Sequence, residues 1–188
     1  MPETPWQEEV GRRVPTSQII VASLVMGSFA FLVVAIVIVQ RGIVEPLDEG
    51  PPLVTYIAIL FAAADFIAWL IVPRVMVTRA RRDIAKGTWQ MPSEQGARAD
   101  LDRFLEQTGD AGKLLVAFQT KTIIGSAIFE GVAFLAVIAY MLENSPLALS
   151  LAIAMIIAVA AHFPTRSGVV HWIEDQLRLI EQEQQFGR

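Results

Sequence analysis

No cysteine occurs in the 188 residues. Its absence excludes disulfides, thiolate metal sites and cysteine nucleophiles at once. Charge is scarce too: Asp, Glu, Lys and Arg make up 18%, against about a quarter in a soluble domain. Histidine occurs only at His162 and His171. Of the common catalytic signatures, HExxH, GxSxG and the dinucleotide fingerprint are all missing. The stretch "TGDAGKLL" contains a Gly-Lys pair, but a phosphate loop needs glycine at 107 and Ser or Thr at 114, where Gln107 and Leu114 stand. We therefore expect no enzyme, no metal site, no cofactor and no nucleic-acid partner.

What the chain has in excess is apolar sequence, at 54% hydrophobic residues with mean hydropathy +0.49. The excess is clustered. Crossing a bilayer as a helix takes roughly 20 mainly apolar residues, and four runs present themselves, at about 17–40, 53–77, 114–142 and 146–164. The expected fold is all-α: a polytopic membrane protein, a single domain over 1–188, with four transmembrane helices. Its partner is then the lipid bilayer. The opening "MPETPWQEEV" is acidic and proline-rich, unlike the basic start of a cleaved signal, so the first run is expected to stay as a helix.

The net charge of −4 matters less than where the charges lie. Arg12 and Arg13 precede the first run, and "RGIVEPLDEGPP" after it is acidic. The link 78–113 and its flanks carry Arg74, Arg79, Arg81, Arg82, Lys86, Arg98, Arg103, Lys113 and Lys121. "ENSP" has neither Lys nor Arg, and Arg166 follows the fourth run. Lys and Arg are retained on the cytoplasmic side. Both termini and the long link are thus expected to be cytoplasmic, in a bacterial cytoplasmic (inner) membrane. Trp6, Trp69, Trp89 and Trp172 fall near the proposed boundaries, as interfacial aromatic residues do.

The two halves align. "TSQIIVASLVMGSFAFLVVAI" from Thr16 sets Ile19–Ile20 on Ile123–Ile124, Gly27 on Gly131, and Val33 and Ala35 on Val137 and Ala139 of "TKTIIGSAIFEGVAFLAVIAY". Each second helix starts after a proline and ends at proline plus a basic residue, "VPR" and "FPTR". Two hairpins of like orientation form a parallel repeat. Small residues let helices approach closely in lipid, so Ser23 with Gly27 and Ala127 with Gly131 are candidate packing positions. Outside the runs, "SEQGARADLDRFLEQTGDAGK" suits a short surface helix. Ser167 opens an amphipathic C-terminal helix over 167–186, with Val169, Trp172, Ile173, Leu177 and Ile180 on one stripe. Its acidic other face suits protein more than anionic lipid.

Two carboxylates stand inside the apolar runs. Asp65 lies nine residues from Arg74, and Glu130 nine from Lys121. At 1.5 Å per residue each is about 13 Å from its basic end residue. An ionised acid costs about 2.5–3.5 kcal/mol at the bilayer centre, so such groups mark either proton or ion sites or interhelical hydrogen bonds. Both are flanked by small residues, which places them towards a bundle interior. Ser23, Ser28 and Ser126 are at nearby depths. His162 reads as an interfacial histidine, and His171 has no evident partner.

The stretches "FQTKTIIGSAIFEGVAFLAVIAYML", "HFPTR" and "WIEDQLRL" resemble a group of small bacterial four-span membrane proteins, over nearly the whole chain from about Thr16. That resemblance implies the same fold and carries no activity. Proteolipids of rotary ATPases are similar in being hairpins of small-residue-rich helices with an intramembrane carboxylate, but their GxGxGxG helix has no counterpart here and Glu130 stands on the first helix of its hairpin, so no function is carried over. The functional expectation is a non-enzymatic structural or accessory subunit. It would self-associate as a homo-oligomer or serve a membrane complex, through its cytoplasmic helices. The alternative is a small proton- or cation-conducting unit using Glu130 and Asp65.

Overall fold

A computed structural model describes residues 5–45, 47, 50–90 and 98–186. All its regular structure is helical: α1 (Pro5–Gln40), α2 (Leu53–Ala85), α3 (Arg98–Thr108), α4 (Asp110–Glu143), α5 (Pro146–Ala160) and α6 (Arg166–Phe186). No strand occurs among the described residues. Helices α1, α2 and α4 are long and apolar enough to cross a membrane. The fourth apolar run is not of that length. It forms α5, 15 residues, rather than a helix over 146–164. The chain leaves α5 through a turn at 161–163, because Pro164 lacks an N–H and biases Phe163 away from helical backbone.

The long helices also reach past the apolar runs. Pro5 opens α1, as proline is tolerated in a first helical turn, and the helix continues through Pro15. Helix α2 runs through Pro73 to Ala85, so the basic stretch expected as a link is largely helix. Of the expected surface helix, Arg98–Thr108 is α3 and the remainder opens α4; Ser93 to Ala97 lie outside the described residues.

The chain divides into two compact units. One comprises 19–72 and 123–163 and holds most of the apolar sequence. Its core is built mainly from alanine: Ala35, Ala58, Ala133, Ala136, Ala139, Ala148 and Ala152, with Leu32, Val137, Tyr140 and Ile156. Side chains this small leave the packing to closely approaching backbones. Helix α4 is the central one. Half of its apolar window is buried, against 22% for α1 and 11% for α2. Phe31 of α1 meets Phe134 of α4 with ring centroids 5.3 Å apart. Asn144 adopts positive φ (47°) and Ser145 caps α5, with Pro146 in its first turn. Together they reverse the chain in two residues.

The other unit comprises 1–18, 73–122 and 164–188. Five helices supply its core: Val10 and Val14 from α1, Ile84 from α2, Phe104 from α3, Ala111, Leu114 and Leu115 from α4, and Val169, Ile173 and Ile180 from α6. The stripe expected on the C-terminal helix is therefore used within the chain. Gly109 (φ +57°) makes the turn from α3 to α4. Gly112 follows because a Cβ there would overlap the Thr108 hydroxyl and crowd Phe104. Arg81 binds Glu183 at 2.8 Å, tying the end of α2 to α6.

Candidate functional site

In the alanine-rich unit, Asp65 sits on the face of α2 that carries the buried Thr55 and Ala58 and the half-buried Ala62 and Trp69. That face follows from spacing, since 55, 58, 62, 65 and 69 recur at helical intervals. Glu130 of α4 flanks the buried arc of Ser126, Phe129, Ala133 and Val137. Both carboxylates are half-buried. Neither makes a hydrogen bond or ion pair with a described residue, and no hydrogen bond joins them. The hydroxyls of Ser28 and Ser126 are fully buried and also lack a partner. No group of three or more His, Asp or Glu gathers among the described residues in a way that would hold a metal.

The small residues beside Glu130 face away from the core. Ala127 and Gly131 are exposed, as are Ser23 and Gly27 on α1. A Cβ added at Gly27 or Gly131 would meet nothing within 4 Å. These stripes point outward rather than towards the alanine core, which claims the other face of each helix.

Two features of this unit were not anticipated. His162, at the turn after α5, is bonded on both ring nitrogens: Nε2 lies 2.7 Å from Trp69 Nε1, and Nδ1 lies 2.7 Å from the Ala158 carbonyl. Indole nitrogen can only donate. Nε2 must therefore accept, and Nδ1 carries the proton that goes to Ala158. Phe129 packs 5.7 Å from Trp69 and 5.5 Å from His162. Gly125 leaves room for the imidazole, which a Cβ would approach to 3.3 Å. Trp69 is thus a packing and donor residue within the unit rather than an isolated boundary anchor.

The second feature is Glu143, the last residue of α4. Its carboxylate accepts from the backbone N–H of Val54 (2.6 Å), the N–H of Thr55 (2.9 Å) and the Thr55 hydroxyl (2.6 Å). It caps the start of α2, where orphan N–H groups and the positive dipole end favour an anion. A signal existed in the sequence: a carboxylate at a helix C-terminus opposes its own helix dipole, so it needs an outside partner.

In the other unit, Lys121 lies over Phe118 and Trp172, 5.1 and 5.0 Å from the ring centroids, a cation–π arrangement. His171 stands 3.6 Å from Asp175 on its own helix. Trp6, Trp89 and Trp172 pack against this unit's core.

No known protein family, curated protein or solved structure matches the chain.

Proposed function

We propose that this chain is a non-enzymatic subunit of the bacterial cytoplasmic membrane that associates with further copies of itself through the small-residue faces of α1 and α4. One observation carries the reading: Gly27 and Gly131 stand in the open on apolar helices, with Ser23 and Ala127 exposed one turn before them. Close backbone approach is what such positions provide in lipid, and none of the described residues takes it up at Gly27 or Gly131. The stripe of α6 is engaged in its own unit, so the intramembrane faces take over the role expected of the cytoplasmic helices.

In this proposal the helices form two repeated hairpins with both termini cytoplasmic, and α5 is the fourth span. At 15 residues it rises about 22 Å, short of a hydrocarbon layer of about 30 Å, a mismatch met by local thinning or flanking anchors. Burial at aligned positions supports the repeat in part. Leu32 and Ala136 are both buried, as are Ala35 and Ala139, whereas Val33 is exposed and Val137 is not.

The lack of native cysteine makes the test direct. Single-cysteine variants Ser23→Cys and Ala127→Cys, oxidised in native membranes, should give disulfide-linked dimers. Leu60→Cys and Ile157→Cys, at positions themselves 68% and 63% exposed, should not. Adducts with a different protein would make the chain a subunit of a mixed complex. Equal cross-linking at all four positions, or none, would refute the association.

A second reading, a proton- or cation-conducting unit, is favoured by Asp65 and Glu130 having no partner while half-buried in apolar helices. Ion flux in proteoliposomes that Glu130→Gln or Asp65→Asn abolishes would establish it. Absence of flux in the wild type would remove it.

A further inference from the structure

In the unit of residues 1–18, 73–122 and 164–188, a partly open cavity of about 140 Å³ lies among the end of α2, the turn after it and the start of α4. Met76 and Ala80 of α2, Val116, Ala117 and Thr120 of α4, and Trp89 with the exposed Gln90 line it. The space exists because Ala80 and Ala117 are too small to fill it. The lining is almost wholly apolar, and the Thr120 hydroxyl donates to the Val116 carbonyl of its own helix at 2.9 Å, so it is engaged without a ligand. An apolar cavity of about 150 Å³ stays dry and takes up a molecule the size of benzene. This one therefore suits a hydrocarbon segment of roughly six carbons.

The surroundings say what the other end of such a molecule carries. The α2 segment that lines the cavity also bears Arg74, Arg79, Arg81 and Arg82 against one acid, Asp83, and Lys86 follows in the turn after it. Arg81 is held by Glu183. Arg74, Arg79, Arg82 and Lys86 are exposed and form no ion pair with a described residue. Arg79 follows Met76 by three positions and precedes Ala80, which puts it one helical step from the cavity wall. A row of cations with no ion-pair partner among the described residues, beside an apolar slot, is complementary to an anionic head joined to a hydrocarbon chain.

We propose that this cavity takes a segment of one acyl chain of an anionic phospholipid, whose phosphate is held by Arg79 and its basic neighbours. The site is separate from the small-residue faces, and its occupancy does not depend on the oligomeric state. Tail and head contribute separately. Each methylene inside adds about fourfold in affinity, and each basic residue near the headgroup about fivefold.

The test uses full-length protein in a neutral detergent and tryptophan fluorescence. Phosphatidylglycerol with brominated acyl chains is titrated, and phosphatidylcholine with the same chains is titrated in parallel. The anionic lipid should quench saturably at a concentration at least about fivefold lower. The difference should vanish in Trp89→Phe, which leaves Trp6, Trp69 and Trp172 in place. Ala117→Leu, which fills the cavity, should abolish the Trp89-dependent quenching. Arg79→Gln should keep its amplitude and reduce the preference for the anionic lipid about fivefold. Indistinguishable titrations with the two lipids would overturn the proposal, as would saturable quenching that survives in a folded Ala117→Leu. If that variant does not fold, Ala80→Leu fills the slot from the opposite wall with the same two outcomes. The wild-type comparison alone still suffices to reject the site.

Discussion

Replacing Glu143 tests whether a side chain from the end of α4 holds the start of α2. Its carboxylate receives three donors, the N–H groups of Val54 and Thr55 and the Thr55 hydroxyl, at 2.6–2.9 Å. A hydrogen bond to a charged group contributes about 1.5–3 kcal/mol net. The three share one carboxylate that water also reaches, so they do not add in full. Glu143→Ala should cost about 2 kcal/mol, which is a drop of about 4–8 °C in Tm for a chain of this length. Glu143→Gln keeps an acceptor and loses the charge–dipole part, a cost of about 0.3–1 kcal/mol. Thr55 is fully buried, and Thr55→Val should cost about 1 kcal/mol for one lost bond. Thermal unfolding in detergent, read by circular dichroism, gives each value, and the double variant gives the coupling, expected near 1 kcal/mol. Additive single effects would show that the two residues do not act on each other. A Tm for Glu143→Ala within a degree of wild type would sink the capping argument altogether.

Three further outcomes are expected. Ser126→Ala and Ser28→Ala remove buried hydroxyls that have no partner, so each should be neutral or raise stability by up to about 1 kcal/mol; a clear loss in thermal unfolding would contradict the absence of a bond. The His162 imidazole should show the Nδ1–H tautomer in 15N NMR, and His162→Ala, which leaves the Trp69 N–H without an acceptor, should destabilise by about 1–3 kcal/mol; an Nε2–H signal would reverse the assignment. Gly112→Ala drives a Cβ into Thr108, Phe104 and Leu105 and should cost about 1–3 kcal/mol by overpacking, seen as faster amide exchange across α3; unchanged exchange would mean the turn accommodates it freely.

The apolar runs were readable because hydropathy over some twenty residues needs no partner to be recognised. What lay beyond them was not. Trp6, Val10 and Val14, spaced four apart in "WQEEVGRRV", are the apolar signal of the first turns of α1, and the charges around them mask it. The basic run after Val77 contributes Ile84 to a core, a single residue that only the fold reveals. The C-terminal helix was legible at 167–186 and is found at Arg166–Phe186 because five apolar residues keep helical spacing. The positions of Asp65 and Glu130 were equally plain, but their lack of partners depends on side chains from other helices. Glu143 and His162 find Thr55 and Trp69 some ninety residues away in sequence, and no local pattern encodes that.

The alanine core has a genetic consequence. Seven of its eleven buried residues are alanine. Every amino-acid replacement that a single base change makes from an alanine codon, apart from the one to glycine, installs a larger side chain. In a leucine core most mutations leave holes, which neighbours partly fill. Here the common lesion is the opposite, an atom too many between backbones already in contact, and helices must move apart to admit it. Mutational damage in this unit should therefore be rescued less by refilling side chains than by second substitutions that trim the facing helix.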